Sequence, residues 1–180
     1  MMEINSGKCV LRTWDDSDIE LLPEILNNQK ILANLRDIFP KPYMKKDARD
    51  WIALNKSKKP SENLVISFND QLIGGIGLKL QENVHRISAE IGYYLSEKFW
   101  GKGIMTDAVL GMTKYGFETF PINRIFGGVY SSNPSSIRVL EKCGYSLDGI
   151  YRQSIIKNDE ILNEHIYSIL KHEFYEQNNS

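Results

Sequence analysis

The sequence predicts one mixed α/β domain of the α+β kind, and three observations predict it. Between Ile87 and Lys142 the chain reads strand, glycine turn, helix, strand, short helix. Hairpins centred on Asn69-Asp70 and on Lys157-Asn158-Asp159-Glu160 flank that run, which favours a largely antiparallel sheet. A length of 180 residues, with 42% hydrophobic and 25% charged, suits a single core and an ordinary solvated surface. The expected domain covers residues 1–176, and the polar residues 177–180 are expected to fray.

The elements follow in order. Cys9 to Thr13 reads as the first strand. Asp15 to Asp18 offers N-caps for a helix with Ile19, Leu22, Ile25 and Leu26 on one face and Pro23 in its early turns. Leu35 to Tyr43 holds two prolines and is expected to be irregular, with exposed aromatics. A second helix is expected from Lys46 or Asp47, carrying Ala48, Trp51, Ile52 and Asn55, and Lys56 to Glu62 is a polar loop. Leu64–Phe68 and Gln71–Leu80 form the first hairpin, with Gly74, Gly75 and Gly77 in its second arm. Ile87 to Leu95 is a strand, and Met105, Val109, Met112 and Gly116 keep helical spacing to about Phe120. Arg124–Tyr130 is a strand, Asn133-Pro134 opens a short helix, and two last strands end near Leu170.

Charge and composition exclude several functions. Net charge is −1 with Lys and Arg dispersed, so the basic footprint of a nucleic-acid binder is missing. No long apolar span or signal peptide stands out, which predicts a soluble cytoplasmic protein without a membrane partner. Cys9 and Cys143 lack CxxC spacing and read as reduced thiols, and His85, His165 and His172 lack metal-ligand spacing, so no metal is expected.

Phe99-Trp100-Gly101-Lys102-Gly103-Ile104-Met105-Thr106-Asp107-Ala108 is the most informative stretch. Two glycines between a strand and a helix bring free N–H groups and the positive helix end together, where a pyrophosphate can approach the main chain. A Rossmann fingerprint is excluded by Thr106 at the third glycine position, and a P-loop by Gly103-Ile104 where Ser or Thr should follow Lys102. A plain strand-to-helix turn is the competing reading. Asp107 complements the helix N-terminus and should point away from a phosphate.

This order of elements, followed by Asn133-Pro134-Ser135-Ser136 and Glu141-Lys142-Cys143-Gly144-Tyr145, resembles the GNAT superfamily of acetyl-CoA-dependent N-acetyltransferases over nearly the whole chain. Ala89-Glu90-Ile91-Gly92-Tyr93, Trp100-Gly101-Lys102-Gly103, Thr106, Ala108 and Asn133 to Tyr145 are similar to the branch of ribosomal-protein N-terminal (alanine/serine) acetyltransferases. The chain departs from the superfamily pattern at Trp100 and Met105, the first and last positions of the phosphate turn. It departs again at Leu140, where many members carry a tyrosine that protonates the leaving thiolate.

The resemblance implies helices on both faces of a twisted sheet and a central parallel strand pair that splays to admit acetyl-CoA as cosubstrate. It gives the pantetheine the main chain of Ile91, Tyr93 and Leu95. It gives the phosphates the turn from Trp100, Gly101, Lys102 and Gly103 to Ile104, Met105 and Thr106, with Asn133, Ser136, Arg138 and Lys142 as further cofactor contacts. Asn133 also reads simply as an N-cap, and Arg138 and Lys142 as solvated charges. Glu90 is the candidate for taking the amine proton, its alternatives being an outward-facing charge on an edge or a salt bridge to Arg86 or Arg124. Ser136 is the candidate partner of the CoA sulfur. Arg36, Asp37, Phe39, Pro40 and Tyr43 are the acceptor-side candidates.

The acceptor is then an amine, most simply the α-amine of a protein or peptide N-terminus. With a pKa of about 7.7–8.0 it is far more neutral at physiological pH than a lysine amine at about 10.4, so it needs only a modest base. Acetylation of a polyamine or aminoglycoside is the alternative substrate class, and a non-catalytic CoA sensor or interaction module the alternative of another kind. Monomer and homodimer both remain open.

Overall fold

The structure, a computed structural model, describes residues 2–178. It contains strands β1 (Glu3–Ser6), β2 (Cys9–Arg12), β3 (Asn63–Phe68), β4 (Gln71–Leu80), β5 (Ser88–Leu95), β6 (Arg124–Tyr130), β7 (Ser146–Lys157) and β8 (Glu160–Leu170). Its helices are α1 (Leu22–Leu26), α2 (Gln29–Leu32), α3 (Lys45–Lys56), α4 (Ile104–Thr119), α5 (Pro134–Lys142) and α6 (Lys171–Asn178). The chain divides into two compact units, one running to Gly77 and including Tyr93–Gly111, the other formed by Leu78–Gly92 and the chain from Met112 onward.

In the first unit the strand order is β1-β2-β3-β4-β5, and in the second β4-β5-β6-β8-β7. The β5–β6 pair is parallel, whereas β1–β2, β2–β3, β3–β4, β6–β8 and β7–β8 are antiparallel. The fold is therefore the mixed, largely antiparallel α/β sheet with a parallel pair that the sequence predicts. Both expected hairpins turn on two Asn-Asp residues with positive φ, Asn69 and Asp70 at 49° and 62°, Asn158 and Asp159 at 50° and 64°. That backbone matches the twist of the strands it joins.

The first unit packs Trp14, Leu22, Leu26, Ile31, Tyr43, Ile52, Val65 and Leu72 into one apolar cluster. Beside this cluster Arg12 and Asp18, 8% and 2% exposed, form a two-pronged ion pair with N–O distances of 2.8 and 2.6 Å. In the second unit Ala89, Met112, Phe117, Ile122, Ile125, Leu140, Ile169 and Phe174 are buried.

Four expectations change. A strand precedes the predicted first one: Glu3–Ser6 pairs with Cys9–Arg12 across a turn at Gly7-Lys8. The helix expected after Asp15 is broken into a 3₁₀ turn at Asp16–Ile19, α1 and α2. Pro23 stands in the first turn of α1, where its ring excludes continuation from the preceding turn, and Asn28 restarts the chain by accepting the Lys30 N–H at 2.8 Å. Residues Gln177 and Asn178 of the expected tail belong to α6, while Asn179 and Ser180 lie outside the described residues. Finally, Tyr43 is not an exposed aromatic: it is 5% exposed, and its main-chain N–H and carbonyl are both bonded to the Asn27 amide at 2.8 Å.

Candidate active site

The glycine turn adopts the backbone that only glycine takes without strain. Gly101 and Gly103 have φ of 72° and 78°. A Cβ at Gly101 would meet nothing within 4 Å, so the turn is open on that side. Gly103 caps α4, its carbonyl accepting the Asp107 N–H at 3.2 Å. The following N–H groups of Ile104 and Met105 have no carbonyl within the helix to reach, which aligns donors with the positive end of a 16-residue helix. A helix start of this kind is suited to an anion.

The flanking side chains are arranged around this turn. Lys102 places its ammonium 5.2 Å from the centre of the Phe99 ring. Trp100, 42% exposed, donates its indole N–H to the Leu95 carbonyl at 2.8 Å. This bond ties the last residue of β5 to the start of the turn and engages the Leu95 carbonyl that the resemblance assigns to pantetheine. The Asp107 carboxylate accepts the Lys8 main-chain N–H at 2.9 Å. Lys8, which no sequence motif singles out, reaches the turn itself: its ammonium donates to the Lys102 carbonyl at 2.9 Å.

The edge of β5 follows from strand parity. The Gln81 N–H donates to the Ser88 carbonyl at 3.0 Å, and the Ser96 N–H donates to the Ile73 carbonyl at 2.7 Å. Even-numbered residues thus direct their main chain towards β4, and Ala89, Ile91, Tyr93 and Leu95 direct theirs to the opposite edge. On that edge the parallel ladder with β6 covers Ser88–Glu90 against Arg124–Phe126. β6 goes on to Tyr130 paired with β8 along its whole length. A Cβ at Gly127 would stand 3.3 Å from Ile91 Cγ2 and 3.6 Å from the Ile91 carbonyl oxygen, so glycine keeps β6 clear of Ile91 just where the ladder ends.

Glu90 is half-buried in β5 opposite Phe126. The two arginines that sequence offers as its salt-bridge partners have other bonds: Arg124 pairs with Asp148 at 2.5 Å and lies over the Phe126 ring, and Arg86 donates to the Asn83 carbonyl. At the start of α5, Asn133 is an N-cap, its side-chain oxygen accepting the Ser136 N–H at 3.2 Å. Arg138 and Lys142 are exposed. Gly144, at φ 83°, closes α5 with Gly144 and Tyr145 N–H bonds to the Glu141 and Leu140 carbonyls, which accounts for the Gly-Tyr pair structurally. Leu140 is 1% exposed, so the position where many superfamily members carry an acidic tyrosine is core here.

Of the acceptor-side candidates, Arg36 and Asp37 are exposed, Asp37 taking a 3.1 Å ion pair from Lys41. Phe39 packs half-buried against the apolar cluster, 6.5 Å from the Tyr43 ring. Burial, and then the Asp47 charge, push the Tyr43 phenol up to about 12, which removes it as an acid or base near neutrality. Burial likewise pushes the Cys9 thiol to about 11, with Asp107 adding to the shift. Among the described residues no group of three His, Cys, Asp or Glu gathers as a metal site, and no helix is long and apolar enough to cross a membrane.

The family description Acetyltransferase (GNAT) domain matches residues 8–146. The chain belongs to this family. Its GNAT relatives include the uncharacterized N-acetyltransferase p20 of Bacillus licheniformis, 32% identical over 180 residues that cover 96% of this chain and 92% of p20. RimL, a ribosomal L7/L12 alpha-N-protein acetyltransferase solved with coenzyme A, has a TM-score of 0.82 at 22% identity, covering 94% of this chain and 98% of RimL. A spermidine N-acetyltransferase from Vibrio cholerae, solved with CoA and spermine, has a TM-score of 0.79 at 20% identity, covering 93% and 98%. The protein is accordingly a GNAT N-acetyltransferase, and its fold is one in which coenzyme A has been seen bound.

Proposed function

We propose that this GNAT enzyme moves the acetyl group of acetyl-CoA to the α-amine of a protein or peptide N-terminus. The open glycine cradle at Gly101–Gly103 is the observation that carries the cosubstrate. Its N–H groups, with Trp100, Lys102, Ile104, Met105 and Thr106 around them, hold the phosphates, and the outward main chain of Ile91 and Tyr93 bonds the pantetheine amides. Leu95 contributes less, because Trp100 engages its carbonyl. Arg138 and Lys142 add positive charge for the same ligand, and Asn133 acts through the helix start it caps.

In the reaction the amine nitrogen forms a bond to the thioester carbonyl carbon, the carbon–sulfur bond breaks, and CoA leaves as a thiolate that gains a proton. Main-chain donors on the β5 edge stabilise the oxygen that becomes negative. Glu90 accepts the proton that the amine loses, directly or through one water. Ser136 hydrogen-bonds the sulfur and relays a proton to it, the role left open by Leu140. With no base stronger than the Glu90 carboxylate in this scheme, it suits an acceptor that is already partly neutral, as an α-amine is far more than a lysine side chain.

Charge near the acceptor side supports the same class. Lys30, Lys41, Lys45 and Lys46 are each paired with a carboxylate, of Glu97, Asp37, Glu20 and Asp50, so the cation that bears on the acceptor is Arg36, which is exposed. A guanidinium there disfavours a polycation and can bind a carboxylate or a peptide carbonyl. In this reading Arg36, Asp37 and Phe39 are the residues that meet the acceptor. Thiol release measured with acetyl-CoA against acidic N-terminal peptides, spermidine and an aminoglycoside tests the proposal. Release with the peptides supports it, and release only with spermidine or the aminoglycoside overturns the acceptor assignment. Glu90→Gln should lower kcat by about 10- to 100-fold and change its pH dependence while leaving KM for acetyl-CoA within about twofold.

A further inference from the structure

Lys8 comes to the glycine turn from a part of the chain with no motif of its own, and its approach is fixed by backbone contacts. The Lys8 N–H donates to the Asp107 carboxylate at 2.9 Å, and the Ser6 hydroxyl donates to the Asp107 main-chain carbonyl at 2.5 Å. Between them Gly7, at φ 55°, passes so close that a Cβ there would stand 2.6 Å from the Asp107 carboxyl carbon. The β1–β2 turn is thereby fastened to the first turn of α4. From this anchored position the Lys8 ammonium meets the Lys102 carbonyl at 2.9 Å and lies 3.0 Å from where a Cβ of residue 103 would be.

The charges around it leave that ammonium available for an anion. The Lys102 carbonyl uses one of its three N–H donors. The Asp107 carboxylate is turned to the Lys8 main chain, and the Lys102 ammonium is drawn over the Phe99 ring. For an exposed lysine a single neutral carbonyl is a weak partner. A diphosphate in the cradle beside Gly103 is a strong one.

We propose that Lys8 is a phosphate-binding residue of the cosubstrate site, its ammonium pairing with the pyrophosphate of the acyl-CoA while its backbone holds the turn of β1–β2 against α4. This rests on the reading that the Gly101–Gly103 turn receives acetyl-CoA. The competing role is a strap that braces the turn and never meets the ligand.

The two roles separate on a ligand without phosphate. Wild type, Lys8→Ala and Lys8→Arg are titrated with acetyl-CoA by calorimetry at two salt concentrations, and S-acetylpantetheine is measured as a competing ligand. The expected result is an acetyl-CoA affinity about tenfold weaker in Lys8→Ala, with a shallower salt dependence and S-acetylpantetheine binding unchanged. Lys8→Arg restores acetyl-CoA affinity to within about threefold, since it keeps the charge. Unchanged acetyl-CoA affinity in Lys8→Ala, or equal weakening of both ligands, overturns the proposal. Wild-type protein that fails to bind acetyl-CoA overturns the reading of the turn itself.

Discussion

In β4 a Cβ on Gly74 would collide with the Tyr94 carbonyl, and one on Gly75 would sit 2.7 Å from the Tyr94 hydroxyl, whereas at Gly101 a Cβ would meet nothing within 4 Å. Both stretches belong to the first unit, and both were visible as glycine clusters in the sequence. The β4 glycines make room for the protein's own Tyr94, which packs against the cluster of Trp14, Leu22 and Tyr43. Burial there pushes the Tyr94 phenol well above its usual range, with Tyr43 and Asp18 adding to it. The turn glycines instead bend the backbone, Gly101 with open space beside it and Gly103 with the Lys8 ammonium 3.0 Å from where a Cβ would be. A glycine cluster therefore marks a ligand site only where the space it creates is left open and the neighbouring donors are left to face it.

Changes in the closed region should cost stability and spare binding. The largest effect is expected for Asp18→Ala, which strands the buried Arg12 guanidinium and should lower unfolding free energy by about 3–5 kcal/mol in urea denaturation. Acetyl-CoA affinity measured on the folded fraction at low temperature should stay within about threefold; a large loss would break the comparison. Gly75→Val forces a branched side chain against the Tyr94 ring and should cost about 3 kcal/mol, again without a specific loss of affinity.

A smaller effect sharpens the same contrast through pH. Burial pushes the Cys9 thiol up to about 11 and the Tyr43 phenol up to about 12, from 9.0 and 10.0 for the exposed groups. The folded state keeps protons that the unfolded state has already released, so their contribution to stability is full below pH 9 and is lost as pH rises towards 11 and 12. Stability should fall by about 2–3 kcal/mol between pH 8 and 10.5 from these groups. A flat profile over that range would mean that the region is less closed than its burial implies.

The middle of the molecule was legible because its signals are local. Two glycines before an amphipathic run, Asn-Pro at a helix start and Asn-Asp between strands each specify a backbone within a few residues, and β5, α4, β6 and α5 follow. What was not legible depends on partners distant in sequence. Tyr43 sits among prolines, and only the cluster assembled from Trp14, Ile52 and Leu72 makes it core. Lys8 meets Lys102 across 94 residues, and Glu3–Ser6 becomes a strand because β2 is there to pair with it. The helix α6 carries one deeply buried apolar residue, Phe174, too little periodicity to announce itself. The break at Pro23 was foreshadowed by the proline, but its restart at Asn28 needed the bonds of Asn28 and Lys30 to Glu97.

The most direct measurement is calorimetric titration of acetyl-CoA into wild type and Gly103→Val. At φ 78° a β-branched residue is strained, and its side chain enters the cradle beside Lys8. Saturable binding to wild type, with affinity reduced more than about 100-fold in Gly103→Val while the unfolding transition moves by only about 1–2 kcal/mol, is the predicted result. Equal affinity in the two folded proteins would contradict the assignment of the turn to acetyl-CoA.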